Sequence, residues 1–235
     1  MREDICSIPV NEVFEPREGC PFCRMRDMLE DRMATYITGA AMMEPDVRVE
    51  TNRLGFCHQH FEQILARGSR LSVALILESL LHTVEEEVFP QGKAQPKKTA
   101  AAAKAREDHC FICENIEKNM VHLTGSTLQL WQREEEFRRL YAAQPYLCLP
   151  HYAMVLQAAA KLPRKLFPQF EADTTRLAKA YLETLAGDVT HFTKMFDYRN
   201  AGGDWGNSKD AIERAIQWLT ARAPQVRQKA EEKNR

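Results

Sequence analysis

Residues 57–65 read Cys-His-Gln-His-Phe-Glu-Gln-Ile-Leu, and residues 148–156 read Cys-Leu-Pro-His-Tyr-Ala-Met-Val-Leu. Both open on CxxH and continue into the same apolar face. Phe61, Ile64 and Leu65 stand 91 positions before Tyr152, Val155 and Leu156. Spacings of three and four residues put such side chains on one side of a helix. A CxxC precedes each stretch: Cys20-Pro-Phe-Cys23 the first, Cys110-Phe-Ile-Cys113 the second. The step from Cys23 to Cys57 is 34 residues, and from Cys113 to Cys148 it is 35. Duplicated ligand-type residues in a duplicated apolar face point to two copies of one helical unit.

The chemistry follows from the spacing. A CxxC at a turn leading into a helix directs two sulfurs to one point. A CxxH on a first helical turn places sulfur and imidazole on one face. Joining the two helix starts of each half gives four ligands. The expected sites are therefore Cys20, Cys23, Cys57 and His60 in the first half, and Cys110, Cys113, Cys148 and His151 in the second. Three thiolates and an imidazole, with no open position, suit structural zinc, two ions per chain. An iron–sulfur cluster is the competing occupant. CPFC at a helix N-terminus also resembles a redox thiol pair. His60 is preferred to His58 because only position 60 matches His151. His109, next to Cys110, is expected at the surface or behind a ligand, and His82 and His122 at the surface or in ordinary packing.

Helical periodicity runs through the rest of the chain. Met25, Met28, Leu29, Met33, Tyr36 and Ile37 define one helix. A second starts at Cys57 and ends at Gly68, and Ser69 caps a third through Leu71 to Val88. That third stripe is wide enough for a core or a homodimer interface. A long pattern begins at Ile112 and is expected to break at Gly125 and Ser126 before Leu130, Trp131, Phe137 and Leu140. Further helices start at Cys148 and Pro163, the latter ending at Gly187 with Asp188 capping the next. Asn207 or Ser208 caps a last one through Ile212, Ile216, Trp218 and Leu219. Only Val47 to Glu50 reads as extended. The fold class is all-α: a helical bundle of two tandem units, each stapled by a Cys3His site, with an extra C-terminal helix.

Composition sets limits on function. The 235 residues carry 32 Lys and Arg against 33 Asp and Glu. That balance argues against a protein built to coat nucleic acid, so a nucleic-acid partner is disfavoured. No apolar run is long enough to span a membrane, and the start lacks the apolar core of an export signal. A cytoplasmic location is expected, where paired cysteines serve metals rather than disulfides. Cys6 is left as a free thiol. Residues 90–106 carry five basic and no acidic residues, two prolines and an alanine run. They divide the chain into a first unit at 1–89, a linker whose alanine-rich half can feed a helix, and a second unit with its extension at 107–235. The charged tail beyond Pro224 is expected to fray.

The stretch from His191 to Trp205 has no counterpart in the first half. It gathers His191, Asp197, Tyr198, Arg199 and Trp205 beside the Gly202-Gly203 turn. Such a polar aromatic cluster could bind a small anion or supply acid–base groups. Equally, Asp197 can pair with Arg199, and Trp205 can cover the end of the bundle.

Cys20 to Cys23, Gly55 to His60, Cys110 to Cys113 with Cys148 to His151, and Phe196 to Ala211 together resemble the pattern of an uncharacterised family of Firmicutes-type bacteria. The resemblance covers most of the chain outside the linker and the ends. It implies that the metal-type motifs and the tail form one family pattern, and it brings no activity, substrate or cofactor. The leading expectation is a zinc-stabilised helical module that binds a protein or small-molecule partner. The alternatives are an enzyme with a pocket at the His191–Trp205 cluster and a redox or iron–sulfur protein.

Overall fold

The structure, a computed structural model, describes residues 7–89, 92, 95–200 and 202–224. Among them the secondary structure is helical throughout, with eleven α-helices and no strand. Cys6, residues 90, 91, 93 and 94 of the expected linker, and the tail from 225 lie outside the described residues.

The helices are α1 Ile8–Phe14, α2 Pro21–Thr38, α3 Pro45–Leu54, α4 His58–Arg67, α5 Arg70–Val88, α6 Pro96–Glu107, α7 Phe111–Arg133, α8 Glu135–Ala142, α9 Leu149–Ala159, α10 Phe167–Lys194 and α11 Ala211–Thr220. Local chemistry accounts for several boundaries. Gly68 N–H closes α4 onto Ile64 O at 2.8 Å. The Ser69 hydroxyl accepts from Ser72 N–H at 3.0 Å and starts α5, as an N-cap side chain does for an otherwise unpaired amide. Pro150 sits in the first turn of α9, where a missing N–H costs nothing.

Four local expectations are corrected. Val47 to Glu50 belong to helix α3, which Pro45 opens and Gly55 closes with its N–H on Thr51 O. Gly125 and Ser126 do not interrupt α7, which runs unbroken to Arg133. A Cβ at Gly125 would meet nothing within 4 Å, so this glycine marks no turn. Gly187 and Asp188 likewise lie inside α10, and Asp188 takes an ion pair from Arg214 at 2.9 Å instead of capping a helix. The helix expected from Pro163 starts at Phe167, with Pro168 in its first turn.

The described residues form two compact units: those of 7–25 with those of 123–224, and those of 26–122. This division in space differs from the division read at 90–106. The alanine-rich half of that segment is α6, tied into the second unit by Arg106, which donates to Arg53 O at 3.1 Å and pairs with Glu87. Helix α2 starts in the first unit and ends in the second, and α7 makes the return passage.

The first unit is built on an aromatic chain. Phe14 meets Phe22 at 5.7 Å, Phe137 at 5.2 Å and Tyr141 at 5.9 Å between ring centroids. Tyr141 meets Phe170 at 5.3 Å, and Phe170 meets Trp131 edge-on at 4.9 Å. The Tyr141 hydroxyl is satisfied by Thr174 Oγ1 at 2.9 Å. Such large rings dominate the burial energy of a core. The second unit buries Ala34, Ile37, Leu54, Ile64, Val73, Ile76, Leu80 and Ile116. Leu71 and Leu81 on α5 stay 68% and 63% exposed, so the stripe seen in the sequence is wider than the face the unit covers.

Candidate metal centres

The eight predicted ligands meet in two clusters, but in different company from that expected. Cys20, Cys23, Cys148 and His151 form the first; Cys57, His60, Cys110 and Cys113 form the second. Each CxxC thus joins the CxxH of the other half. The pairing by halves is corrected, and with it the picture of two tandem units, each closed on its own staple. Where the first CxxH returns to α2, it is Glu30 and not Cys23 that faces His60; this position is seven residues, about two helical turns, beyond the CxxC. The sequence repeat is real, and its two copies exchange ligand pairs.

The first cluster is buried on all four residues. Cys148 is the N-cap residue of α9 and His151 follows within its first turn. His151 Nδ1 lies 3.1 Å from Cys148 Sγ, 3.4 Å from Cys23 Sγ and 3.7 Å from Cys20 Sγ. Cys23 and Cys148 sulfurs are 3.6 Å apart. In the second cluster Cys57 is the N-cap residue of α4. His60 Nδ1 lies 3.2 Å from both Cys57 and Cys110 sulfurs and 3.4 Å from Cys113. Cys57 and Cys113 sulfurs are 3.9 Å apart. Tetrahedral zinc with Zn–S near 2.3 Å and Zn–N near 2.05 Å requires edges of about 3.6 to 3.8 Å. Both clusters approach that shape, and all ligand atoms in each lie within 4.8 Å of one another.

Electrostatics gives the same answer. In the first cluster the Cys20 thiol is held well below its ordinary range: burial opposes charge there, but contacts with Cys148, Cys23 and His151 outweigh it. Its neighbours respond in the opposite sense. Cys148, chiefly through Cys20, is pushed up to about 12, and Cys23 is raised by Cys148 and Cys20. In the second cluster burial opposes charge on Cys110, yet His60 and nearby amides bring it down to about 6. Cys113 is raised by burial and by the charge on Cys110. Sulfurs this close cannot all ionise alone. A divalent cation removes that conflict and leaves three thiolates, so the donor chemistry fits a metal.

The surroundings differ between the clusters. His60 presents Nε2 to Glu30 Oε1 at 3.8 Å. Burial lowers its basicity, but Cys110 and Glu30 raise it to about 10. Glu30 is itself buried, and Gln63 Nε2 donates to its Oε2 at 3.2 Å. A carboxylate behind a ligating imidazole fixes the ring and strengthens it as a donor. Beside the first cluster stands Arg24 instead, its Nε on Val13 O at 2.9 Å and its Nη2 on Gln144 Oε1 at 3.2 Å. Neither role was recognised in the sequence. The signal for Glu30 was present: it continues the apolar row of Ala34 and Ile37 at spacings of four and seven.

The other candidates fall elsewhere. His58 points outward to Glu62 at 3.4 Å, His82 to Glu86 at 3.5 Å, and His109 pairs with Glu114 at 3.2 Å. His191 and Arg199 line a shallow depression of about 430 Å³ with Lys194, Asn200 and Asp204. Asp197, Tyr198 and Trp205 do not line it. His191 Nε2 lies 2.9 Å from Asp204 O. Asp197 accepts from Arg199 N–H and Nε, each at 3.0 Å, and this pairing holds its carboxyl below the usual range. Tyr198 is 85% exposed. Trp205 packs on Phe192 at 5.5 Å and Phe196 at 5.8 Å. Asp197 and Arg199 thus pair with each other, His191 faces a backbone carbonyl, and Trp205 packs on Phe192 near the end of α10.

No helix among the described residues is long and apolar enough to cross a membrane. The pattern of a family of unknown function (DUF6062) matches residues 1–226. No curated protein and no solved structure matches the chain.

Proposed function

From the premise that the chain belongs to DUF6062, we propose that it is a zinc-stapled helical module that acts by binding a protein or small-molecule partner. The observation that carries the reading is the meeting of all eight ligands as two Cys3His sets with near-tetrahedral spacings. Cys20, Cys23, Cys148 and His151 would hold one ion, and Cys57, His60, Cys110 and Cys113 the other. Closed four-ligand sets leave no coordination position for substrate, so the ions would supply folding energy rather than Lewis acidity. The module would work in the cytoplasm, where thiolates stay reduced.

The test is elemental analysis of protein purified without added metal, with an absorption spectrum of the same sample. Two zinc ions per chain and a featureless visible region are expected. Iron with broad visible absorbance would replace this reading with an electron-transfer or sensing one.

A further inference from the structure

The two clusters share a ligand set and differ in everything around it. In the first, all four ligands are buried, and the residue after its CxxC is Arg24, whose guanidinium is half-buried and whose charge acts on Cys20. Three thiolates around a divalent ion leave one net negative charge, which a neighbouring cation offsets. In the second cluster the residue after the CxxC is Glu114, and the buried Glu30 stands behind His60. Both carboxylates have partners there, Glu30 facing Arg26 Nε at 4.0 Å and Glu114 facing His109 at 3.2 Å, so the contrast between the clusters is one of access. Cys113 is exposed and Cys57 half-buried, and their sulfurs lie 3.9 Å apart.

Thiolate nucleophilicity rises with electron density and access. We infer that the second cluster is a peroxide-reactive zinc centre in which Cys113 and Cys57 form a disulfide and release the ion, while the first cluster remains loaded. The inference rests on the zinc reading above.

The chemistry balances with hydrogen peroxide as the oxidant. The Cys113 thiolate attacks one peroxide oxygen, the O–O bond breaks, and hydroxide leaves with the electron pair. The Cys57 thiolate then attacks the sulfenic sulfur of Cys113. An S–S bond forms, the S–O bond breaks, and a second hydroxide departs. Two solvent protons convert the hydroxides to water, so two sulfurs are oxidised by two electrons and peroxide is reduced. Zinc, left with Cys110 and His60, exchanges into solvent. Cys20 and Cys148 have no comparable access.

The experiment uses the full zinc-loaded chain. Zinc is counted first, then hydrogen peroxide is added with a chromogenic zinc indicator present, and disulfides are mapped by mass spectrometry. One ion of the two is expected to leave about tenfold faster than the other, with Cys57 linked to Cys113. Simultaneous loss of both ions, or a first disulfide within Cys20, Cys23 and Cys148, would overturn the inference and leave the zinc reading standing. A chain isolated without zinc would overturn both.

Discussion

Glu30 shows how much one side chain can do without touching a metal. It is buried, accepts from Gln63 Nε2 at 3.2 Å, and stands 3.8 Å from His60 Nε2 and 4.0 Å from Arg26 Nε. Glu30→Gln should weaken zinc binding at the second cluster by about 10- to 100-fold, with the first cluster unaffected, as chelator competition would measure. Cutting the Asp197–Arg199 pair by Arg199→Ala should leave the melting temperature unchanged, because both groups are solvated and surface pairs contribute little. At this scale the sequence was legible where chemistry is local. Position 60 rather than 58 was readable from the repeat, since only one histidine matches His151. Arg24 and Glu30 were not, because their partners Val13, Gln144 and His60 lie far off along the chain.

At the scale of elements, helices were legible from periodicity and their limits from caps, but glycine misled. Gly68 ends α4, whereas Gly125 and Gly187 sit inside helices with open space around them. The difference is packing. A Cβ at Gly68 would lie 2.8 Å from Thr38 Cγ2 and 3.0 Å from Ile64 O. Gly68→Ala should therefore cost about 1–3 kcal/mol, while Gly125→Ala should raise stability by up to about 1 kcal/mol as a better helix former. Thermal melts of the two variants would separate the cases. Helix α1 escaped notice because seven residues make too short a pattern, although it buries Val10, Val13 and Phe14. On α10, Phe170 bridges Trp131 and Tyr141. Phe170→Ala should destabilise the first unit by about 3–5 kcal/mol, read as a lower denaturant midpoint.

At the scale of the whole molecule, the repeat was visible and its exchange was not. Sequence spacing tells which residues can share a helix face, but not how far a straight helix carries them from their next neighbours. Paired substitutions test the exchange directly. Cys20→Ser with Cys148→Ser should leave one zinc ion per chain, whereas Cys20→Ser with Cys57→Ser should leave none. Pairing within halves would place Cys20 with Cys57, so it would reverse both counts.

Crosswise ligation also sets an order of assembly as the chain leaves the ribosome. Residues 26–122 are contiguous and include all four ligands of one cluster, so that ligand set is complete once Cys113 has emerged. Cys20 and Cys23, made earliest, must wait with reduced, unpartnered thiols until His151 is synthesised. The oldest ligands of the nascent polypeptide are thus among the last to be secured, and a ribosome stalled between those two points would hold one finished knot and one open pair of sulfurs.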